Sequence, residues 1–128
     1  MKTQLIALLI VPSLHAMAQS NAPAMPTEFP ADAAPLSASE LRDALSGKVY
    51  RARIANGDTW RLEYKPNGYY FVDVSNGYRA SGTWYTEDGK LCGERRDAPM
   101  ACSEMRRAGD VLYMKRASSG EVVALNRQ

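Results

Sequence analysis

The sequence predicts an all-β fold: a small antiparallel meander closing as a barrel of about eight strands, with one short N-terminal helix capping an end. Three observations predict it. From residue 48 onward apolar and polar residues alternate, which is the period of a half-buried strand. Clusters of Gly, Asn, Asp and Ser interrupt that alternation at short intervals. One stretch just before residue 48 carries helix start and stop signals. The length of 128 residues suits one domain, and 45% apolar with 23% charged content is ordinary for a globular chain. The formal charge of +2 is too small to imply an electrostatic nucleic-acid binder.

Residues 1–18 read as a secretory signal peptide. Lys2 gives a positive start, Leu5 to Val11 is an unbroken apolar run, Pro12 breaks it, and Ala16-Met17-Ala18 is a small-x-small cleavage signature. Cleavage near Ala18 implies a periplasmic or secreted product. No second apolar run reaches bilayer-spanning length, so no membrane span is expected. Removal of the leader takes Lys2 and also His15, the single histidine of the chain. A mature chain without imidazole has no Ser-His-Asp or Cys-His catalysis and no His-ligated zinc. The expectation is therefore a non-enzyme without cofactor or metal.

Residues 19–35 contain Pro23, Pro26, Pro30 and Pro35 with no apolar period, and read as a flexible arm. A plain tether and a segment that threads into a partner's groove both fit. The barrel domain is expected over 36–128. Its helix is predicted over 38–46: Ser37 is an N-cap, Glu40 completes a capping box, and Leu36 with Leu41 form a hydrophobic staple. Leu41, Ala44 and Leu45 share a stripe, and Gly47 suits the helix stop.

Strands are predicted over 48–54, 59–64, 69–74, 78–85, 90–94, 102–107, 111–116 and 121–125. With three-residue loops at Asn56-Gly57-Asp58, Pro66-Asn67-Gly68, Ser75-Asn76-Gly77 and Glu87-Asp88-Gly89, one face is uniformly apolar, aromatic or Gly. Tyr50, Ala52 and Ile54 then oppose Tyr64, Leu62 and Trp60, which oppose Tyr70, Val72 and Val74, which oppose Gly82, Ala80 and Tyr78. Two-residue loops would flip alternate strands and set Arg53 against Trp60. The central Gly of the first loop fits no firm turn type. Beyond residue 90 the register stays open. Trp60, Trp84, Tyr50, Tyr64, Tyr70 and Tyr78 are bulky enough to fill an eight-stranded interior, so little or no cavity is expected.

Cys92 and Cys102 are the only thiols, and an exported chain meets an oxidising compartment. Nine intervening residues are unlike the C-x-x-C spacing of redox pairs, and two thiolates make a poor zinc site, so a structural disulfide is expected.

The opposite face of the first four strands carries the candidate binding residues. The expected register sets Arg53, Arg61, Asp73 and Arg79 in one row and Arg51, Glu63, Phe71 and Ser81 in the next, with Tyr69 beside Thr83. Arg53, Arg61, Tyr69, Phe71, Arg79, Ser81 and, further along its strand, Tyr85 make a candidate partner-binding surface, because Arg and aromatics dominate interface hot spots. A solvated face held by Arg61–Asp73 and Arg51–Glu63 pairs is the plainer alternative, and it leaves Phe71 unexplained.

Ser81-Gly82-Thr83-Trp84, Asp88-Gly89-Lys90-Leu91-Cys92 and Cys102 together resemble small exported bacterial domains of uncharacterised lipocalin-like families, over roughly residues 60–125. That resemblance implies a small barrel and an extracytoplasmic compartment. Ser81-Gly82-Thr83-Trp84-Tyr85 is also similar to the S-G-x-x-Y string of periplasmic C-type lysozyme inhibitors, in which the Ser and Tyr reach into the lysozyme cleft. The expected function is a disulfide-stapled, non-enzymatic binding protein for an envelope or extracellular protein. An inhibitor of a hydrolase such as lysozyme, and a carrier of a small apolar ligand, are the alternatives.

Overall fold

A computed structural model describes residues 25–128. The expected leader and residues 19–24 of the expected arm lie outside the described residues. The elements are β1 (Ala34–Pro35), α1 (Ala38–Leu45), β2 (Lys48–Arg53), β3 (Thr59–Tyr64), β4 (Tyr69–Val74), β5 (Arg79–Glu87), β6 (Lys90–Arg95), β7 (Ala98–Ala108), β8 (Val111–Lys115) and β9 (Val122–Arg127). Strands β2 to β9 run up and down, each antiparallel to the next, and β9 pairs back onto β2. The result is the expected closed barrel, with β1 added outside the count on β7. Among the described residues no helix is long and apolar enough to cross a membrane.

The helix forms for the reasons its sequence suggests. Both halves of the Ser37/Glu40 capping box are present, and Leu41 and Leu45 are fully buried. Three hydrogen bonds seat it on one barrel end. Ala38 N–H donates to Asp88 Oδ1 (2.9 Å), Thr86 Oγ1 donates to the Ala38 carbonyl (2.7 Å), and the Tyr50 hydroxyl donates to the Ala44 carbonyl. Inside, one continuous cluster joins the helix leucines to Tyr50, Leu62, Tyr64, Val72, Trp84, Met105, Leu112 and Leu125.

The register of β3, β4 and β5 is the expected one: Leu62 pairs with Val72 and Val72 with Ala80. The β2–β3 register differs by two residues, since Tyr50 opposes Leu62 and Ala52 opposes Trp60. The cause is the first loop. Ile54 N–H donates to the Asp58 carbonyl and Gly57 N–H to the Ile54 carbonyl (both 3.0 Å), so the loop is Ala55-Asn56-Gly57. Gly57 is then the last loop residue at φ 88°, matching Gly68 at 92° and Gly77 at 94°. All three loops share one turn chemistry, a left-handed residue closing a three-residue hairpin. A two-residue slip keeps every side chain on its face, so the apolar interior survives the correction. The fourth turn, unlike the first three, is shorter than expected, with Glu87 paired to Lys90 across Asp88-Gly89.

Beyond residue 90, β6 and β7 are longer than predicted, and β7 starts at Ala98 rather than 102. A register shift between Gly93 and Arg95 lets Pro99 sit in this strand beside an irregular ladder. Cys92 and Cys102 are directly opposed (Cα–Cα 4.0 Å) and disulfide-bonded.

Residues 25–35 lie against the barrel, which corrects the expectation of a free arm for that part. Pro26 accepts a backbone hydrogen bond from Val122 (2.7 Å), Ala33 is buried, and β1 pairs with Arg106 and Arg107 of β7. The physical reason lies on the outer wall of β8 and β9, where Tyr113, Val122 and Ala124 form an apolar strip lined by Met25, Pro26 and Phe29. The Arg106 guanidinium stacks over Phe29 at 4.5 Å from the ring centre. Covering that strip removes apolar surface from water.

Candidate functional site

The outer wall of β3, β4 and β5 gathers most of the predicted surface. Hairpin loops of one type fix the register, so Arg61, Asp73 and Arg79 form one cross-strand row and Glu63, Phe71 and Ser81 the next. Tyr69 stands opposite Thr83. The β2 end of the rows is corrected: Arg51, not Arg53, opposes Arg61, and Arg53 lies two pairs further toward the loop, opposite Thr59. The expected Arg51–Glu63 pair is replaced by contacts of Glu63 with Lys65 (3.0 Å) and Arg61 (3.5 Å). Asp73 is shared by Arg79 (3.2 Å) and Arg61 (3.9 Å).

The hydrogen bond and charge of Lys65 hold the Glu63 carboxyl below its usual range. Such exposed pairs contribute little stability, but they fix where the charges sit. Arg61, Glu63, Lys65, Phe71, Asp73, Arg79 and Ser81 rim one shallow depression. Phe71 is 41% exposed and Tyr69 53%, two residues apart on one face of β4. Tyr85, 40% exposed, projects from the same outer face of β5 as Ser81, opposite Cys92 of the disulfide. Sequence reasoning missed Lys65, whose place just before a three-residue hairpin loop was the available signal.

The interior corrects a second expectation. Trp84 is buried, its Nε1 donates to the Lys65 carbonyl (2.9 Å), and its ring meets Tyr64 edge-on at 5.4 Å. Trp60 is only half-buried, under the Arg116 guanidinium at 4.6 Å. Tyr78, expected inside, is 41% exposed and donates its hydroxyl to Asp97 on the β6–β7 hairpin. Tyr78 at the rim borders, with Trp60, Val72 and Val74, a hollow that adjoins a second one along Arg95, Ala101, Ser103 and Met114. The second is an open cleft of about 190 Å³, lined by Leu62, Tyr64, Tyr70, Trp84, Leu91, Arg95, Ala101, Ser103 and Met114 among others.

Glycines shape this cleft. Tyr70 lies across Gly82 and Gly93, where its ring would contact any added Cβ (2.9 and 3.4 Å). Burial pushes the Tyr64 and Tyr70 phenols above their usual range. Glycines at two inward strand positions were the sequence signal for this close approach. Glu87 lies near both disulfide sulfurs, but sulfurs bonded to each other offer no thiolate to a metal.

No protein-family model, no curated protein and no solved structure matches the chain.

Proposed function

We propose that this chain is a non-enzymatic periplasmic or secreted protein that binds a partner protein through the outer wall of β3, β4 and β5. One observation carries the reading: Tyr69 and Phe71 stand adjacent and uncovered on β4, framed by Arg61, Lys65 and Arg79. Aromatic anchors beside arginine are the composition of interface hot spots. Glu63 and Asp73 only partly offset the basic rim, so the complementary partner surface is acidic. The disulfide supports an oxidising compartment, and the leader-like residues 1–18 support export. The lipocalin-like resemblance agrees with the barrel.

A second reading shares this wall. Ser81 and Tyr85, the two residues of the inhibitor-like string, both project outward and exposed from β5. A glycosidase cleft carries two carboxylates, which the basic rim complements. Inhibition of a hydrolase such as lysozyme is thus a specific form of the first proposal.

The test is capture of an envelope protein by the immobilised chain, compared with a Phe71→Ser, Arg61→Glu variant. The variant is expected to lose capture while melting within a few degrees of the parent, since both side chains are substantially exposed. Unchanged capture overturns the outer-wall reading. Cell-wall clearing by C-type lysozyme with excess chain separates the second reading: undiminished lysis rejects it.

A further inference from the structure

The outer wall does not account for the barrel's open end. Along β6 the inward positions are Leu91, Gly93 and Arg95, because Gly93 opposes Trp84 and Arg95 opposes the inward Gly82. An arginine facing the interior of a small barrel is costly unless something anionic meets it. Arg95 engages Asp97 through Nε at 3.3 Å. Among the described residues Asp97 is the one carboxylate in an ion pair with Arg95. The two terminal nitrogens of a guanidinium form a fork that can grip a further carboxylate in parallel. Asp97 is held on its far side by the Tyr78 hydroxyl, which fixes the guanidinium at the mouth.

Behind Arg95 the cleft is apolar and aromatic. Leu62, Leu91 and Met114 line it with the rings of Tyr64, Tyr70 and Trp84. Tyr64 and Tyr70 stack at 6.1 Å, and Trp84 closes the deep side. Of the polar groups inside, Trp84 Nε1 and the Tyr50 hydroxyl are bonded to carbonyls, and the Tyr64 and Tyr70 phenols and the Ser103 hydroxyl are uncharged groups set among the apolar side chains of the wall. The depth of the cleft is therefore suited to a ring, and its mouth to an anion. Its size agrees: about 190 Å³ exceeds the roughly 150 Å³ that accommodates benzene in an apolar cavity. That leaves room for one ring and a short acidic side chain.

We infer that the open end of the barrel is a binding site for a small single-ring aromatic carboxylate, with the ring against Tyr70 and Trp84 and the carboxylate on the Arg95 fork. This site lies inside the barrel, apart from the outer wall, and stands whether or not the wall binds a protein.

The experiment titrates the folded chain with phenylacetate and with its neutral isostere phenylacetamide, reading tryptophan emission and heat. Phenylacetate is expected to bind saturably, with a dissociation constant between about 10 µM and 1 mM, and the amide at least about tenfold more weakly. Arg95→Gln brings the two probes level by weakening the acid. Ser103→Phe fills the cleft and removes binding of both. Should that variant fail to fold, Ala101→Leu at the exposed mouth serves in its place. Phe71→Ser binds phenylacetate as the parent does. No saturable signal up to about 10 mM phenylacetate overturns the proposal, as does equal binding of acid and amide by the parent chain.

Discussion

Replacing Gly82 by alanine tests how tightly β5 and β6 are drawn together at the cleft. A Cβ at Gly82 falls 2.0 Å from the Glu94 carbonyl oxygen, 3.0 Å from its carbon and 2.9 Å from Tyr70 Cε1. Carbon–oxygen contacts begin near 3.3 Å, so the strands must part by roughly 1.3 Å. The obstructing atom is backbone in a paired strand, which cannot swing aside like a side-chain tip. Overpacking of this kind costs about 1–3 kcal/mol, and the disturbed ladder hydrogen bond adds about 1 kcal/mol. We expect Gly82→Ala to cost about 3–4 kcal/mol, a fall in melting temperature well over about 10 °C for a domain of this size. Gly93→Ala is the control: its Cβ comes no closer than 3.4 Å to the Tyr70 ring, an ordinary contact costing under about 1 kcal/mol. Urea unfolding followed by tryptophan emission measures both. A Gly82→Ala protein within about 1 kcal/mol of the parent, or equal losses from the two variants, refutes the reasoning.

Reducing the Cys92–Cys102 bond, whose partners are 10 residues apart, should cost about 3 kcal/mol from loop entropy, seen as a lower urea midpoint in reductant. Ser37→Ala removes the capping bond to Glu40 N–H and should cost about 0.5–2 kcal/mol by the same measurement. Leu41→Ala, at a fully enclosed helix position, should cost about 2–5 kcal/mol. Burial raises the Tyr64 phenol in the folded chain. The unfolded chain therefore releases that proton first, and stability should fall as pH rises through about 10. Midpoints across this range should fall less steeply in Tyr64→Phe, and an identical slope in parent and variant removes the assignment.

The outer wall was legible because short loops ending in glycine dictate register. Gly68 and Gly77 sit where the turn needs a left-handed residue, so the Phe71 and Arg61 rows follow from the sequence. At Gly57 the same rule holds, but assigning Asp58 to the loop displaced β2 by two residues and put Arg53 where Arg51 stands, opposite Arg61. The period of two protected the faces but not the neighbours. The span from 95 to 101 was illegible because Pro99 and the register shift break alternation. The docked segment 25–35 was hidden for a different reason: its partner strip, Tyr113, Val122 and Ala124, is assembled only when β8 and β9 pair. The cleft escaped because side-chain bulk was summed without asking where Tyr78 points. Its phenol prefers Asp97 at the rim to the interior.

The junction of β2 and β9 rests on two paired positions, Tyr50 with Arg127 and Arg51 with Asn126, and on a backbone bond from Gln128 N–H to the Val49 carbonyl. The first and final staves of the barrel are thus the last to meet as the polypeptide emerges from its N-terminal side. Until then β2 presents a bare edge to any other nascent strand. Shortening the tail by even a few residues would leave the molecule an unrolled scroll rather than a slightly smaller vessel.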